Sequence, residues 1–217
     1  MTMGPPGGSA IIAWRPWRDV RAAFAFARRY AASDDPRVAA ANFVALVLAW
    51  NTPFYPLYLL GAAGATMGEG VWLTLCAFPV FLAVPAITRW QGTLGRVVLV
   101  GAGTANTLFC TWLLGEASGT SLFLLPCITL AALLFRRSEV KALFPLLLSP
   151  IVAGMAMNGR YSFSPFACAG AACAAITWLN AVSVAILLAF LGVLATGLAD
   201  TGQHIRSGAG GVRPRRQ

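Results

Sequence analysis

The chain alternates long apolar runs with short polar breaks, and it does so six times. A helix rises about 1.5 Å per residue, so about 17–25 apolar residues cross a hydrocarbon core about 30 Å thick. The runs are Asn42 to Gly61, Val71 to Thr88, Val97 to Gly115, Thr120 to Phe135, Ala142 to Met157 and Ile176 to Leu198. A Cys/Ala/Gly-rich lead-in from Phe166 precedes the last, and the fourth and fifth are short for spans. None alternates as a barrel strand does, and backbone facing lipid must bond within its own segment, so each run is expected as a helix. The predicted fold is all-α: a polytopic bundle of six transmembrane helices over residues 41–199, with an N-terminal segment over 1–40 and a short basic tail over 200–217.

Charge orients this bundle. Of the 16 Lys and Arg residues, Arg15, Arg18, Arg21, Arg28, Arg29 and Arg37 precede the first run, and Arg89 and Arg96 separate the second and third. Arg136, Arg137 and Lys141 separate the fourth and fifth, and Arg206, Arg213, Arg215 and Arg216 follow the sixth. Only Arg160 falls in the alternate loops. Positive residues mark the cytoplasmic side, so both termini are expected there. Composition agrees: 58% of residues are apolar and 11% charged, whereas soluble domains carry about a quarter charged residues. The net charge of +9 is then a topology signal. No segment is long enough for a soluble basic platform, and no nucleic-acid partner is expected.

The soluble ends are short. Residues 1–13 are rich in Gly and Pro, and Gly208 to Gln217 forms a Gly/Arg/Pro tail. Between them and the first run, Trp14, Trp17, Val20, Phe24, Ala27 and Tyr30 recur at near-helical spacing beside arginines. This pattern suits either a helix lying in the headgroup layer or a flexible positive tail. Ser33-Asp34-Asp35-Pro36 reads as a break and cap before the first run.

The chemistry of the runs is defined first by an absence. No Lys, Arg, Asp, Glu or His lies at mid-membrane depth, where proton relays and ion-coupled carriers place them. The one histidine, His204, is in the tail, so neither heme nor metal is expected, and no cofactor. Cys168 and Cys173, like Cys76, Cys110 and Cys127, are expected as small packing residues. Uncharged polar residues are more numerous. Asn51 and Thr52 sit beside Pro53 and Pro56; Thr104, Asn106, Thr107 and Thr111 occur in the third run; Thr177, Asn180 and Ser183 occur in the sixth. Thr104, Thr107 and Thr111 share a helical face, suited to interhelical packing or to a small polar cavity. Pro79, Pro85, Pro126, Pro145 and Pro150 are further candidate kinks. The outer loops hold Glu69, Glu116, Ser118, Asn158, Arg160, Tyr161 and Ser162, with Glu116 or Glu69 able to pair with Arg160. The candidate ligand-binding set is Asn106, Glu116, Ser118 and Arg160. No catalytic set is expected, because histidine, an activated serine and spaced carboxylates are all missing from it.

The stretch Gly103 to Glu139 is more specific than hydropathy. Ala105-Asn106 lies central in the third run, Gly115-Glu116-Ala117-Ser118-Gly119 forms an outer turn, Leu125-Pro126-Cys127 follows, and Leu134-Phe135-Arg136-Arg137 with Glu139 forms the exit. With Asn42, Phe54, Tyr55 and Tyr58 fitting loosely, it resembles the six-helix membrane-associated sensor (MASE-like) domains that precede class III cyclase, histidine kinase or diguanylate cyclase modules in bacteria. The resemblance implies sensing. Asp200 to Gln217 shows no linker heptads and no cyclase or kinase signature. The expectation is therefore a sensor-like or scaffold module, not an enzyme, that takes a small or lipid-like ligand from the outer side. It would signal through a cytoplasmic or membrane partner, with the lipid bilayer around it and a homo-oligomer left open. The alternatives are a transporter or permease subunit, and a small lipid-acting enzyme using Glu116 and Arg160. Proline-broken runs favour the transporter, while the lack of intramembrane charge and of an inverted repeat counts against it.

Overall fold

The computed structural model describes residues 16–64, 68–160 and 164–209. Residues 1–13, Trp14, Arg15, Tyr161, Ser162 and 210–217 lie outside the described residues, as do the side chains of Trp17, Arg18 and Val20. Among the described residues the fold is all helical. Helix α1 (Pro16–Ala31) is amphipathic and precedes the crossings. The first crossing is α2 (Pro36–Asn51), a 3₁₀ turn at Thr52–Phe54, and α3 (Tyr55–Ala63). The second is a 3₁₀ stretch Glu69–Ala77 followed by α4 (Phe78–Trp90), and the third is α5 (Gly92–Leu114). After the Gly115–Gly119 turn, expected from the sequence as the outer one, come a 3₁₀ segment Thr120–Phe123 and α6 (Leu124–Leu134), then α7 (Val140–Met157) and the 40-residue α8 (Gly170–Ala209).

Five stretches are long and apolar enough to cross a membrane: Pro36–Ala62, Glu69–Trp90, Gly92–Leu114, Arg137–Met157 and Gly170–Asp200. The fifth run is thus longer than the sequence suggests, because helix extends back toward the arginines. Thr120–Leu134 is apolar but short, at roughly 24 Å from standard 3₁₀ and α rises.

Local signals explain the boundaries. The Asp35 carboxylate caps α2 by accepting from the Arg37 amide at 2.8 Å, and Pro36 occupies the first turn, where its missing amide costs nothing. Of the candidate kinks, those near a change from 3₁₀ to α geometry are Pro53–Pro56, Pro79 and Pro126, whereas α4 runs through Pro85, and α7 through Pro145 and Pro150. The threonines of α5 behave differently from an interhelical seam. The hydroxyls of Thr104, Thr107 and Thr111 donate back to their own helix, to the Val100, Gly103 and Thr107 carbonyls.

Helix α5 is the axis of the bundle, with α2, α4, α6 and α7 packed around it and α8 closing against α6, α3 and α2. A row of small residues on α2, Ala41, Ala45 and Ala49, lets neighbouring backbones approach, and Val44, Val84, Leu99, Val100, Ala131 and Leu134 complete the core. A smaller cluster of Leu59, Val71, Leu113, Leu114 and Ile176 fills the far end. Helices α7 and α8 instead expose Phe144, Ile151, Val152, Met155, Trp178, Ile186 and Val193, as lipid-facing surfaces do.

Helix α1 is docked and not a loose tail. The Tyr30 hydroxyl donates to the Leu82 carbonyl at 3.1 Å, Arg89 donates to the Tyr30 carbonyl, and the Arg89 guanidinium lies 4.9 Å from the Tyr30 ring centre. Phe24 and Phe26 remain exposed beside Arg28 and Arg29. Buried Asn42 ties the corner together, donating to the Ala31 carbonyl at 3.1 Å and accepting from the Thr88 hydroxyl at 2.8 Å.

Helices α4 and α5 are separated only by Gln91, and the close approach depends on Gly95: a Cβ there would sit 2.2 Å from Thr88 Cγ2 and 3.0 Å from the Thr88 backbone nitrogen. Backbone cannot yield as a side chain can. Gly95→Ala is therefore expected to destabilise the protein by about 1–3 kcal/mol, read as a lower thermal midpoint in detergent, with Gly101→Ala, which meets no atom within 4 Å, as the near-neutral control.

Candidate functional site

The two ends of the bundle are closed by different chemistry. At one end collect Arg37, Arg89, Arg96, Arg136 and Glu139. Helix α6 stops short, and its final carbonyls need donors that lipid cannot supply. Arg37 donates to the Leu133 and Phe135 carbonyls at 2.8 and 2.9 Å, and Arg96 donates to the Leu134 carbonyl at 2.7 Å. Arg96 is only 4% exposed. Its fork grips Glu139 at 2.5 and 3.0 Å, Thr93 accepts at 3.1 Å, and the guanidinium lies 4.9 Å from the Phe135 ring centre. Glu139 also accepts from the Arg136 amide, while the exposed Arg136 guanidinium pairs with Asp35 at 3.2 Å. Segments of α2, α5 and α6 and the connection into α7 thus converge on two arginines.

The opposite end is held mainly by uncharged groups, with the exposed Glu116 as the one carboxylate among its described hydrogen bonds. Gly115 (φ +85°) and Gly119 (φ +69°) turn the chain between α5 and α6, a conformation that favours glycine. Within that turn the Ser118 hydroxyl donates to the Gly115 carbonyl at 2.6 Å and lies 2.8 Å from the Thr120 hydroxyl. Asn180 of α8 donates to the Ser118 carbonyl at 2.9 Å and accepts from the Tyr55 hydroxyl at 3.1 Å. One turn earlier, the Thr177 hydroxyl lies 2.5 Å from the Ala117 carbonyl. The segment before α8 folds over the end of α5, its Phe166 and Cys168 amides donating to the Leu113 and Leu114 carbonyls. This fold-back corrects one expectation: Cys168 and Cys173 are not packing residues but form a disulfide, their Cα atoms brought to 4.8 Å around Gly170 (φ +58°). Cys76 is exposed, while Cys110 and Cys127 are buried as expected.

Between these ends lies a cavity of about 120 Å³. Leu48, Asn51, Thr52 and Tyr55 line it from the first crossing, Thr74 and Phe81 from the second, and Leu99, Gly103, Asn106, Thr107 and Cys110 from the third. Thr120, Phe123, Pro126, Cys127 and Leu130 close it from the fourth, and Leu187 and Leu191 from α8. No ionisable carboxylate, amine, guanidinium or imidazole is among them. Thr52, Thr74 and Thr107 spend their hydroxyl protons on backbone carbonyls. The Asn106 carbonyl oxygen accepts from the Cys110 thiol at 3.7 Å, and its amide nitrogen donates to no described residue.

The four residues singled out from sequence do not form one site. Asn106 lines the cavity. Ser118 is 0% exposed and serves the outer turn. Glu116 is exposed and accepts from the Gly159 amide at 2.6 Å, and Arg160 is exposed one residue further on. The two ion pairs among the described residues are Arg96–Glu139 and Arg136–Asp35, so neither Glu116 nor Glu69 meets Arg160. Sequence reading missed Arg37 and Arg96 as structural groups, having counted them only as topology charges. The available signal was an arginine within the first turns of an apolar run, opposite a run too short to bury its own end.

A helical bundle with lipid-facing apolar helices, two sealed ends and an uncharged cavity defines a membrane-embedded module with a sensor-like architecture. The chain belongs to the MASE7 family of membrane-associated sensor domains, whose model matches residues 27–148, more than half its length. The match covers the arginine cluster, Asn106 and the outer turn, and ends within α7. No curated protein and no solved structure matches the chain.

The arginine end gives a graded expectation. Arg96→Met, which strands the Leu134 carbonyl and the Glu139 carboxylate together, is expected to cost about 2–4 kcal/mol; Glu139→Gln, which keeps one acceptor, about 1–2 kcal/mol. Arg136→Ala, losing an exposed pair, should cost about 0–1 kcal/mol. Thermal or denaturant unfolding in one detergent checks the order, and an Arg96→Met loss no larger than that of Arg136→Ala would show that Arg96 does not hold this end.

Proposed function

We propose that this protein is a sensor-like module of a bacterial inner membrane, crossing it six times with both termini in the cytoplasm. In this reading a small ligand in the central cavity is reported as a displacement of α8 to a signalling partner. The observation that carries it is the position of α8: it lines the cavity through Leu187 and Leu191, it is bonded to the outer turn through Asn180 and Thr177, and it extends to Ala209. At about 1.5 Å per residue its 40 residues reach about 60 Å, twice what the hydrocarbon core requires. A helix that touches the cavity and protrudes beyond the bilayer can transmit occupancy as movement, and small helix shifts of about 1–2 Å are a common switching step.

The orientation is supported by the arginines gathered at one end and by the disulfide at the other, since disulfides persist in oxidising compartments such as the periplasm. The caps at both ends of Thr120–Leu134 support its counting as a crossing despite its length. Glu116 and Arg160, at the disulfide end, would meet periplasmic water, and Ser118 contributes by fixing the turn that carries Asn180's acceptor.

Two measurements test this reading. Alkaline phosphatase should be inactive when fused after Gln217 and active when inserted after Gly159; the reverse pattern overturns the topology. For the output, nitroxides at Trp90→Cys and Asp200→Cys, in a Cys76→Ser background, report the α4–α8 distance by pulsed EPR. Asn180→Ala should shift that distance by about 2 Å or broaden it, whereas an unchanged distribution would remove α8 as the output element.

A further inference from the structure

Resting on the reading of the cavity as a ligand site, we infer that its ligand is an uncharged amphiphile arriving from the bilayer, whose small head both donates and accepts hydrogen bonds at Asn106 and Asn51. The watery routes are closed. Thr120, the cavity's outermost polar lining, is 3% exposed, with its hydroxyl 2.8 Å from that of Ser118 and 3.3 Å from the Asn180 amide. Toward the arginine end the way is blocked by Leu99, Leu134 and the Arg96–Glu139 pair.

One lining residue, however, is itself exposed. Asn51 borders the cavity and is itself exposed at the surface, next to the exposed Trp50 in the chain. It lies about one turn deeper than Tyr55, whose hydroxyl is bonded to Asn180 just beneath the outer turn. The cavity therefore opens sideways into hydrocarbon at that depth, where no aqueous solute is waiting.

The head chemistry follows from what the lining leaves unpaired. A charged head would lose its hydration without meeting an opposite charge, a heavy penalty at this depth. The Asn106 amide nitrogen donates to no described residue, and the Asn51 amide offers both a donor and an acceptor. An amide or hydroxycarbonyl head complements this set. Size sets the rest: a cavity of about 150 Å³ accommodates benzene, so this one takes a head of about six heavy atoms and leaves any longer tail in the bilayer, past Asn51.

The probe is dodecanamide carrying a diazirine on its third carbon, photolysed with the full chain in lipid nanodiscs and mapped by peptide mass spectrometry. Labelling is expected within Gly92–Leu114 and Pro36–Asn51, suppressed by excess dodecanamide but not by dodecane or dodecyltrimethylammonium. Asn106→Leu and Asn51→Leu should each lower the competed labelling about fivefold, the worth of one hydrogen bond. Asn51 is exposed, so its variant carries the test if Asn106→Leu fails to fold. Equal competition by dodecane or by the ammonium overturns the head chemistry. Competition by water-soluble acetamide as strong as by dodecanamide overturns the bilayer route while keeping the cavity as a ligand site. Labelling confined to lipid-facing residues and competed by nothing overturns both.

Discussion

The rest of the structure depends on how the carboxyl end of α6 is satisfied. A helix in lipid has no water for its last carbonyls, and α6 is too short to carry them out to the headgroups unaided. Arg37 and Arg96 come to it instead, from two different crossings, and Glu139 neutralises the one that is buried. Packing follows from that arrangement. Arg96 can reach Leu134 only if α5 runs beside α6, and Glu139 can reach Arg96 only if α7 begins by folding back under both.

The opposite end solves the same problem without an ion pair among the described residues. Asn180 satisfies a carbonyl of the outer turn and receives the Tyr55 proton, so α3, α8 and the α5–α6 turn share one amide. Between the ends the ties are weaker: the threonine hydroxyls of α5 turn inward on their own backbone with the Cys127 thiol of α6 beside Thr104 and Thr107, and Phe43 meets Phe190 as a ring contact. A bundle tied at both ends and more weakly held in its middle is where a cavity forms at least cost. Sensing is thereby linked to the fold: a ligand in the middle would compete with packing and would not have to break the ends.

Most of the fold was legible in the sequence because hydrophobic length and the sidedness of arginine are direct consequences of the bilayer. The starts of helices were legible too, where Asp35 and Pro36 supply a cap and a fixed φ. The candidate site was legible only in part. Asn106 stood out as an amide in an apolar run and does line the cavity, but Glu116, Ser118 and Arg160 share a level of the membrane and not a pocket, and one-dimensional spacing cannot tell level from contact. Tyr55 and Asn180 are 125 positions apart and meet only because α3 and α8 pack together. The pairing of Cys168 with Cys173 depended on a fold-back over α5 that no periodicity announces.

The single residue between α4 and α5 bears on how such a chain is made. With Gln91 alone at the turn and Gly95 set against Thr88, the second and third crossings have no loop by which one could be threaded while the other waits. They form a helical hairpin in which Gly95 and Thr88 meet, and in the topology proposed above Arg89 and Arg96 stand at its cytoplasmic tip. A pair closed this tightly would enter the bilayer as one unit and not as two separate helices.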